Sequence, residues 1–570
     1  MMRPALPKLI IAILCLFIGY KVNSQTIFVN GAATGANDGS SWANAYTNLR
    51  VALAAATSGA QVWVAAGTYK PASNNNRDSA FVLKNGVKIY GGFAGTETVL
   101  TARNSATNIT TLSGDITGDN SYHVLMAIHC DTSTLIDGVT IQDGQAGSSD
   151  SLIVNGVMTY KNQGGALYIH AGAPVVVDCI FSNNYTMMGT GGAVYTENDA
   201  TSFKTCTFNN NSATDGGACH TKKSYCQFDS CTFSNNTAAT SQYRGGAIFS
   251  QGGSTSISNS LFTGNMATYG GAICNTNDTC YIYGCQFIKN YAFQNTNAYA
   301  YGGAVCNVGS FSHISNSIFR QNKAWAANNP GYGGAVYDSL SCIKLINSIV
   351  DSNIATTGNG TTHGQGGAMY NRYDTATIYN CLFVDNIATY SNDSSSNYTI
   401  AGVYGLGDIL YMSNCTFFKH GTSVIHITSS AFFYTIIQNT IVWKGNINSA
   451  CIRYNCLLQG ALEDVPFGIY NKYPLFNDTA NNDFTLQRCS PAVNMGDTSK
   501  YFGNKLIDTD LAGDIRVQQG KIDIGAFESA YPAVNITSLL ADTIICAGDS
   551  RVFYVTAAGD SLKYRWEIAR

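Results

Sequence analysis

Charge is scarce in this sequence. Asp, Glu, Lys and Arg make up only 12% of its 570 residues, and the net charge is −3. So neutral a chain has no basic stripe with which to grip nucleic acid or anionic lipid. Beyond Tyr20 no segment is long and apolar enough for a membrane helix. None of the 18 cysteines forms a C-x-x-C pair, so zinc knuckles and thioredoxin-type redox motifs find no support.

What is present begins at the N-terminus. Arg3 and Lys8 precede an apolar run from Leu9 to Tyr20, followed by KVNSQ. This predicts a secretory signal peptide over residues 1–24, cut after Ser24. An odd number of cysteines follows it, so at least one thiol stays free or pairs outside the chain. Gly, Asn, Ser and Thr fill the gaps between short β-branched and aromatic runs, which suits short strands and tight turns. A chain of this length exceeds a usual single domain unless it is a repeat array.

The repeat is measurable. Gly-Gly-Ala begins at Gly164, Gly191, Gly216, Gly245, Gly270, Gly302, Gly333 and Gly366. At a constant offset after each stands Phe181, Phe208, Phe233, Phe262, Phe287, Phe319, Val350 or Phe383, and an Asn follows three residues later (Asn184 to Asn386). Two before the Phe the residue is always Cys or Ser; three before, it is turn-tolerant, as in Asp178, Thr205 and Asn259. A decayed ninth copy starts near Gly402 and carries Cys415 and Phe417. Such a frame cannot close a core alone, but copies stacked at about 4.8 Å per rung can. The expected fold is all-β, a parallel β-helix. The Asn column fits a corner where Asn tolerates left-handed backbone and stacked amides bond along the axis. The Gly-Gly pair fits a second corner. The cysteines read as a small-residue requirement in a tight interior.

Length varies at one place only, between N-x-A and the next Gly-Gly: the next Gly follows Ala213 by three residues and Ala355 by eleven. These insertions emerge from one edge of a solenoid. They are rich in Tyr, Asn, Ser and Gly, the chemistry of rigid aromatic contacts with adaptable hydrogen bonds. Tyr243, Tyr301, Trp325 and Tyr332 are the candidate ligand-binding residues; the competing reading is a set of solvated loops.

The ends differ. Leu49, Ala52, Leu53 and Ala56 at helical spacing predict a short helix lidding the N-terminal end. Thr435–Trp443 and Ile452–Leu458 read as late rungs, and 490–528 as a closing segment in which Asp508, Asp510 and Asp514 form a solvated turn in preference to a calcium site. From residue 533, alternating strands with Cys546 and Trp566 suggest the start of an immunoglobulin-like sandwich.

Catalytic carboxylates need to converge on neighbouring rungs. Asp199, Asp278 and Asp374 share an offset but sit in repeats two, five and eight. Asp115, Asp119, Asp137 and Asp143 lie in the N-terminal rungs, where turn aspartates are the commoner explanation. His170, His220, His313 and His363 fall at scattered offsets. The triplets N-T-D, G-H-G and R-I-K expected of polygalacturonase-like enzymes are missing. No catalytic residue, metal ligand or cofactor site is assigned.

The pairing of GGA-[LVIM] with F-x-x-N-x-A resembles the polymorphic outer-membrane-protein repeat of bacterial surface adhesins, over about residues 164–390. DGSSWANAYTNL…VWVAAGTYKP and DLAGDIRVQQGKIDIGAFE resemble the choice-of-anchor Q β-helix proteins. The resemblance implies a right-handed, pectin-lyase-like β-helix, exported and associated with the outer surface of a Gram-negative envelope. The expected organisation is a signal peptide (1–24), an N-terminal cap with first rungs (25–160), the repeat helix (161–430), last rungs with a closing segment (431–530), and a truncated immunoglobulin-like domain (533–570). The expected function is a non-catalytic adhesin or ligand-display scaffold. A carbohydrate-active enzyme and a passive stalk are the alternatives. A glycan or host-matrix ligand and downstream domains or secretion machinery are the partners expected; nucleic acid and membrane insertion are not.

Overall fold

The computed structural model describes residues 25–529 apart from 239–242, 359–362, 391–399, 407–408, 420–422, 429–434, 448–450 and 501–507, together with two short strands, Asn535–Ser538 and Thr556–Ala558. The expected signal peptide (1–24) and all but those two strands of the expected immunoglobulin-like segment (533–570) lie outside the described residues.

One repeat makes one rung. The second copy runs through Val194–Glu197, Ser202–Lys204, Thr207–Asn209 and Ser212–Ala213. Each strand pairs in parallel and in register with its equivalents above and below, as Phe208 does with Phe181 and Phe233. The stacked rungs build four long parallel sheets, here I to IV in rung order, with 13, 15, 15 and 9 strands among the described residues. The fold is a parallel β-helix. No described helix is long and apolar enough to cross a membrane.

The constant offset has a direct physical result. Phe208, Phe233, Phe262, Phe287 and Phe319 lie one over the next with ring centroids 4.6 to 4.9 Å apart and planes within 9°. All are fully buried. Each burial contributes about 1.5–3 kcal/mol, and each ring pair about 0.5–1.5 kcal/mol more. Val350 interrupts the stack, which resumes with Phe383 on Phe417.

The corners explain the remaining fixed positions. The turn-tolerant residue three before the Phe takes positive φ in every copy, as in Asp178 (51°), Thr205 (50°) and Asn316 (50°). The first Gly of Gly-Gly does the same. The second Gly is required by proximity: a Cβ on Gly303 would stand 2.0 Å from the Gly334 carbonyl oxygen. The Asn column departs from the sequence reading. Positive φ falls one residue earlier, on Asn183, Asn210, Asn235, Lys289, Gln321 and Ser352. The ladder Asn itself is buried, and its amide does the work. Asn265 Nδ2 donates to Asn290 Oδ1 at 3.0 Å and to the Phe233 carbonyl at 2.9 Å, while its Oδ1 accepts from the Asn236 backbone N–H and Nδ2, both at 3.0 Å. The same bonds repeat from Asn184 to Asn353.

The small-residue column is confirmed in place: Cys179, Cys206, Cys231, Cys285 and Cys381 are buried beside Ser260, Ser317 and Ser348. All 16 described cysteines are free thiols. The N-terminal helix α1, Leu49–Ala55, buries Leu49, Ala52 and Leu53, and the Asn48 side chain caps it by accepting from Arg50 N–H. A strand the sequence reading did not predict, Thr26–Val29, precedes it and pairs with Gln61–Ala65.

Residues 490–529 do not close the end of the solenoid. The described residues 490–500 and 508–529 run along its flank, strapped to corner asparagines of the late rungs. Asn380 Nδ2 donates to the Thr509 carbonyl (3.0 Å), Asn439 exchanges two bonds with Asp497 (2.8 and 3.1 Å), and Asn455 donates to the Met495 carbonyl (3.2 Å). Nor is Asp510 part of a solvated turn. It is 3% exposed and accepts from the N–H groups of Ala512, Asp514 and Glu528. Three backbone donors converging on one carboxylate are what a buried structural turn needs.

Candidate ligand-binding edge

The insertions return to the helix through the residue just before each Gly-Gly. Those residues form their own ladder: Arg244 bridges Tyr269, Tyr269 bridges Tyr301, and Tyr332 bridges Gln365. Tyr301 and Tyr332 also lie in register on two short paired strands, Ala300–Tyr301 and Gly331–Tyr332. Behind them stands the outward column of sheet I, Phe249, Cys274, Cys306, Tyr337 and Tyr370. The two columns pack into one cluster.

Tyr269 stacks on Tyr301 at 4.7 Å, and Tyr301 on Tyr332 at 5.7 Å. Tyr337 meets Tyr301 edge-on at 4.7 Å, and Tyr370 lies 4.6 Å from Tyr332. Burial pushes the Tyr269 and Tyr301 phenols above the usual range, so both hydroxyls remain protonated donors at any physiological pH. Stacking along the axis occupies the ring faces. Tyr269, Tyr301 and Tyr332 are themselves half-buried, so each keeps part of its side chain at the surface. Arg244 continues the ladder, over Phe249 at 4.1 Å and ion-paired with Asp215 at 2.6 Å.

Of the four candidates, the structure brings Tyr301 and Tyr332 together. Trp325 belongs to a separate outward stack on sheet IV, with Phe293 at 5.1 Å. Tyr243 sits one position before the ladder residue Arg244, and its carbonyl accepts from Thr268 and Tyr269 N–H. Tyr269, Tyr337 and Tyr370 were missed. Their signal was present in the sequence as the positions one before and four after the first Gly of each repeat.

The N-terminal acids are each engaged. Asp115 pairs with Lys70 (2.9 Å), Asp119 with Arg77 (3.1 Å) and Asp137 with Arg103 (2.6 Å), while Asp143 accepts from Ser113 and Gln142. One depression of about 490 Å³ exists here, lined by Tyr90, Leu100, Arg103, Ser105, Asp137 and Asp178. Burial raises the Asp137 carboxyl against the opposing pull of Arg103. Among the described residues no three His, Cys, Asp or Glu side chains cluster as a metal site.

Asp199 lies inside the helix, and burial pushes its carboxyl up to about 7 despite hydrogen bonds from Thr201 and Cys226. Its Oδ2 has no partner. A carboxyl raised on folding is stabilising below its unfolded value and costs stability as pH rises toward its folded one. Asp199→Asn is therefore expected to leave stability near pH 3.5 little changed. It should raise stability at pH 8 by about 2–4 kcal/mol. Denaturation midpoints across that pH range check this.

The chain is a right-handed parallel β-helix: the family described as "Right handed beta helix region" matches residues 104–287. Among solved structures it is similar to pectate lyase Pel9A (13% identity, 89% of this chain and 96% of that one, TM-score 0.28). It is also similar to PfbA, a surface adhesin of Streptococcus pneumoniae (11%, 68% and 89%, TM-score 0.28). A third similar structure is tailspike protein 3 of bacteriophage CBA120 (11%, 73% and 59%, TM-score 0.38). No curated protein matches the chain.

Proposed function

We propose that this is an exported cell-surface β-helix that binds or displays a glycan or host-matrix ligand along its insertion edge, without catalytic activity. The observation that carries this is the Tyr269–Tyr301–Tyr332 ladder. It sets half-buried tyrosine rings one per rung along the axis, backed by the packed column of Phe249, Cys274, Cys306, Tyr337 and Tyr370. An elongated polar ligand laid parallel to the axis would meet one such group per rung. Export rests on the signal-peptide pattern of residues 1–24, and attachment to a Gram-negative envelope rests on the repeat resemblance. The domain boundaries read from the sequence (1–24, 25–160, 161–430, 431–530 and 533–570) are part of the same proposal. The ion-paired state of Asp115, Asp119 and Asp137 favours a non-catalytic role.

The second reading is a carbohydrate-active enzyme, favoured by the one depression where Arg103, Asp137 and Asp178 converge. One experiment separates the two. The purified chain is incubated with plant, algal and host polysaccharides, and both retention and release of oligosaccharide are scored. Retention without release, weakened at least about tenfold by Tyr301→Ala with Tyr332→Ala, is expected; an aromatic anchor of a binding surface is worth about 1–2 kcal/mol or more. Release that is lost in Asp137→Asn would establish the enzyme. Retention indifferent to the tyrosines would overturn the edge. Neither retention nor release would favour the stalk.

A further inference from the structure

Between Ala146 and Gly164 the chain leaves the array as an antiparallel hairpin, Ser151–Val154 paired with Val157–Tyr160. Its two-residue turn has Asn155 at φ 49° and Gly156 at 78°, the pair of left-handed residues that matches the twist of the flanking strands. Val154 and Val157 pack against the outward cluster that holds Ala80, Met126 and Tyr168. This seats Asn155 beside the N-terminal helix. A cavity of about 260 Å³ opens there between α1, the strand Phe81–Val82 and the hairpin turn.

The lining is apolar along Leu53, Ala54 and Val82, and its charged members are Arg50 and Lys84. No carboxylate shares it; Asp131, which reaches Asn85 at 2.9 Å, is not in the lining. The nearby cations Lys70, Arg77, Arg103 and Lys161 each have an acid within 3.1 Å. Arg50 and Lys84 are held by backbone carbonyls instead. Arg50 Nη1 donates to Pro71 at 3.0 Å, and Lys84 Nζ donates to Ala54 and, at 3.0 Å, to Ala56. Those bonds fix both cations in place without cancelling their charge. A guanidinium has five N–H donors and an ammonium three. The Nε–Nη2 edge of Arg50 and one N–H of Lys84 are therefore left over for a ligand.

We propose that this cavity binds the carboxylate of an acidic sugar, at a site separate from the tyrosine edge and independent of it. The planar Nε–Nη2 fork of Arg50 matches the two coplanar oxygens of a carboxylate, and Lys84 adds a point charge. A tetrahedral phosphate dianion has more oxygens to satisfy than these remaining donors serve. Leu53, Ala54 and Val82 supply a surface for the C–H face of a sugar ring, and the Asn155 amide both donates to and accepts from ring hydroxyls. The cavity lies a little below the range of about 300–1,000 Å³ that holds drug-sized ligands, so it takes one sugar unit and not a chain. An aliphatic acid carries the same carboxylate without the hydroxyls.

The test titrates the full chain with glucuronate, glucose, butyrate and inorganic phosphate, read by ligand-observed NMR. Glucuronate is expected to bind with a Kd of about 1 mM or below, and more weakly as salt is raised. Glucose and butyrate, each lacking one part of the fit, should bind at least about tenfold more weakly. Arg50→Gln should weaken glucuronate binding at least about tenfold. Asn155→Asp keeps the turn, since Asp-Gly suits it as well as Asn-Gly, but it brings a negative charge to the lining and should weaken binding about threefold or more. Tyr301→Ala with Tyr332→Ala should leave glucuronate binding unchanged. Circular dichroism verifies folding; Asn155→Asp removes no packing, so it decides alone if Arg50→Gln does not fold. Butyrate binding as tightly as glucuronate, or phosphate binding more tightly, would overturn the acidic sugar. Glucose binding as tightly as glucuronate, or glucuronate binding that neither variant moves, would overturn the cavity as the site.

Discussion

Asn265→Ala, a change of one amide in the middle of the array, is expected to destabilise the helix by about 4 kcal/mol. Four hydrogen bonds run through that side chain, two donated and two accepted. Each contributes about 0.5–1.5 kcal/mol net. The truncation also strands the Asn236 backbone N–H in a dry interior, where an orphaned donor costs about 1–3 kcal/mol. The neighbouring Asn235 supplies the control. It is exposed and has φ of 54°, so Asn235→Gly keeps the backbone and should shift stability by no more than about 0.5 kcal/mol. Denaturant midpoints compare the two. Because a solenoid's stability is close to a sum of rung and neighbour terms, hydrogen exchange should also show the loss centred on the rungs of Asn236, Asn265 and Asn290. A loss for Asn235→Gly equal to that for Asn265→Ala would mean that the column is there for its backbone shape after all.

Arg516→Met is expected to release the flanking strap at a cost of about 3–5 kcal/mol. Arg516 is 0% exposed. Its Nη1 lies 3.2 Å from Glu528, Nη2 donates to the Gly525 carbonyl, and Asn414, with its amide oxygen turned inward, accepts from Nε at 3.3 Å. Glu528, Asp523 and Asp510 are all buried around it. Removing one partner of a buried ion pair leaves uncompensated charge, which is far costlier than the pair is favourable. Burial raises the Glu528 carboxyl and Arg516 pulls it back down, so removing Arg516 lets it rise further. A carboxyl raised on folding loses stability as pH rises, so the variant should fail first at alkaline pH, where its opposing cation is missed most. Limited proteolysis should open 490–529 while the repeats stay protected. Pairing Arg516→Met with Glu528→Leu should recover part of the loss, because an apolar pair of similar volume needs no counter-charge. No recovery would mean that the Arg516 contacts to Gly525 and Asn414, not its charge, hold the strap.

These two sites show how differently the parts of the molecule were legible. The Asn column, the Phe stack, the Gly-Gly corner and the Cys/Ser positions were all readable, because in-register parallel stacking writes a local requirement at a constant offset in every copy. The purpose of the Asn column was misjudged in part: left-handed backbone and buried amide fall on adjacent residues, and only coordinates separate them. The strap was misplaced for another reason. Its partners Asn380, Asn439 and Asn455 are corner residues whose turn role accounts for them fully, so nothing in their spacing announces that they also bind residues 40 to 129 positions away.

The candidate edge falls between these cases. Tyr301 and Tyr332 could be chosen from insertion composition, and Tyr269 could have been found by counting back from Gly-Gly. That their rings stack on each other depends on insertions of unequal length returning to one line. The cavity beside α1 was invisible for a similar reason. Arg50, Lys84 and Asn155 look like ordinary helix and turn residues until the chain coils and brings them to one hollow.

The sequence by itself thus determined the rung, its register and its corners, since each of those is a local rule repeated at fixed spacing. Only the tertiary structure decided which residues from different rungs and from the tail share an environment. Burial, charge and hydrogen-bond partners depend on neighbours about 4.8 Å away along the axis that lie two dozen or more residues away along the chain.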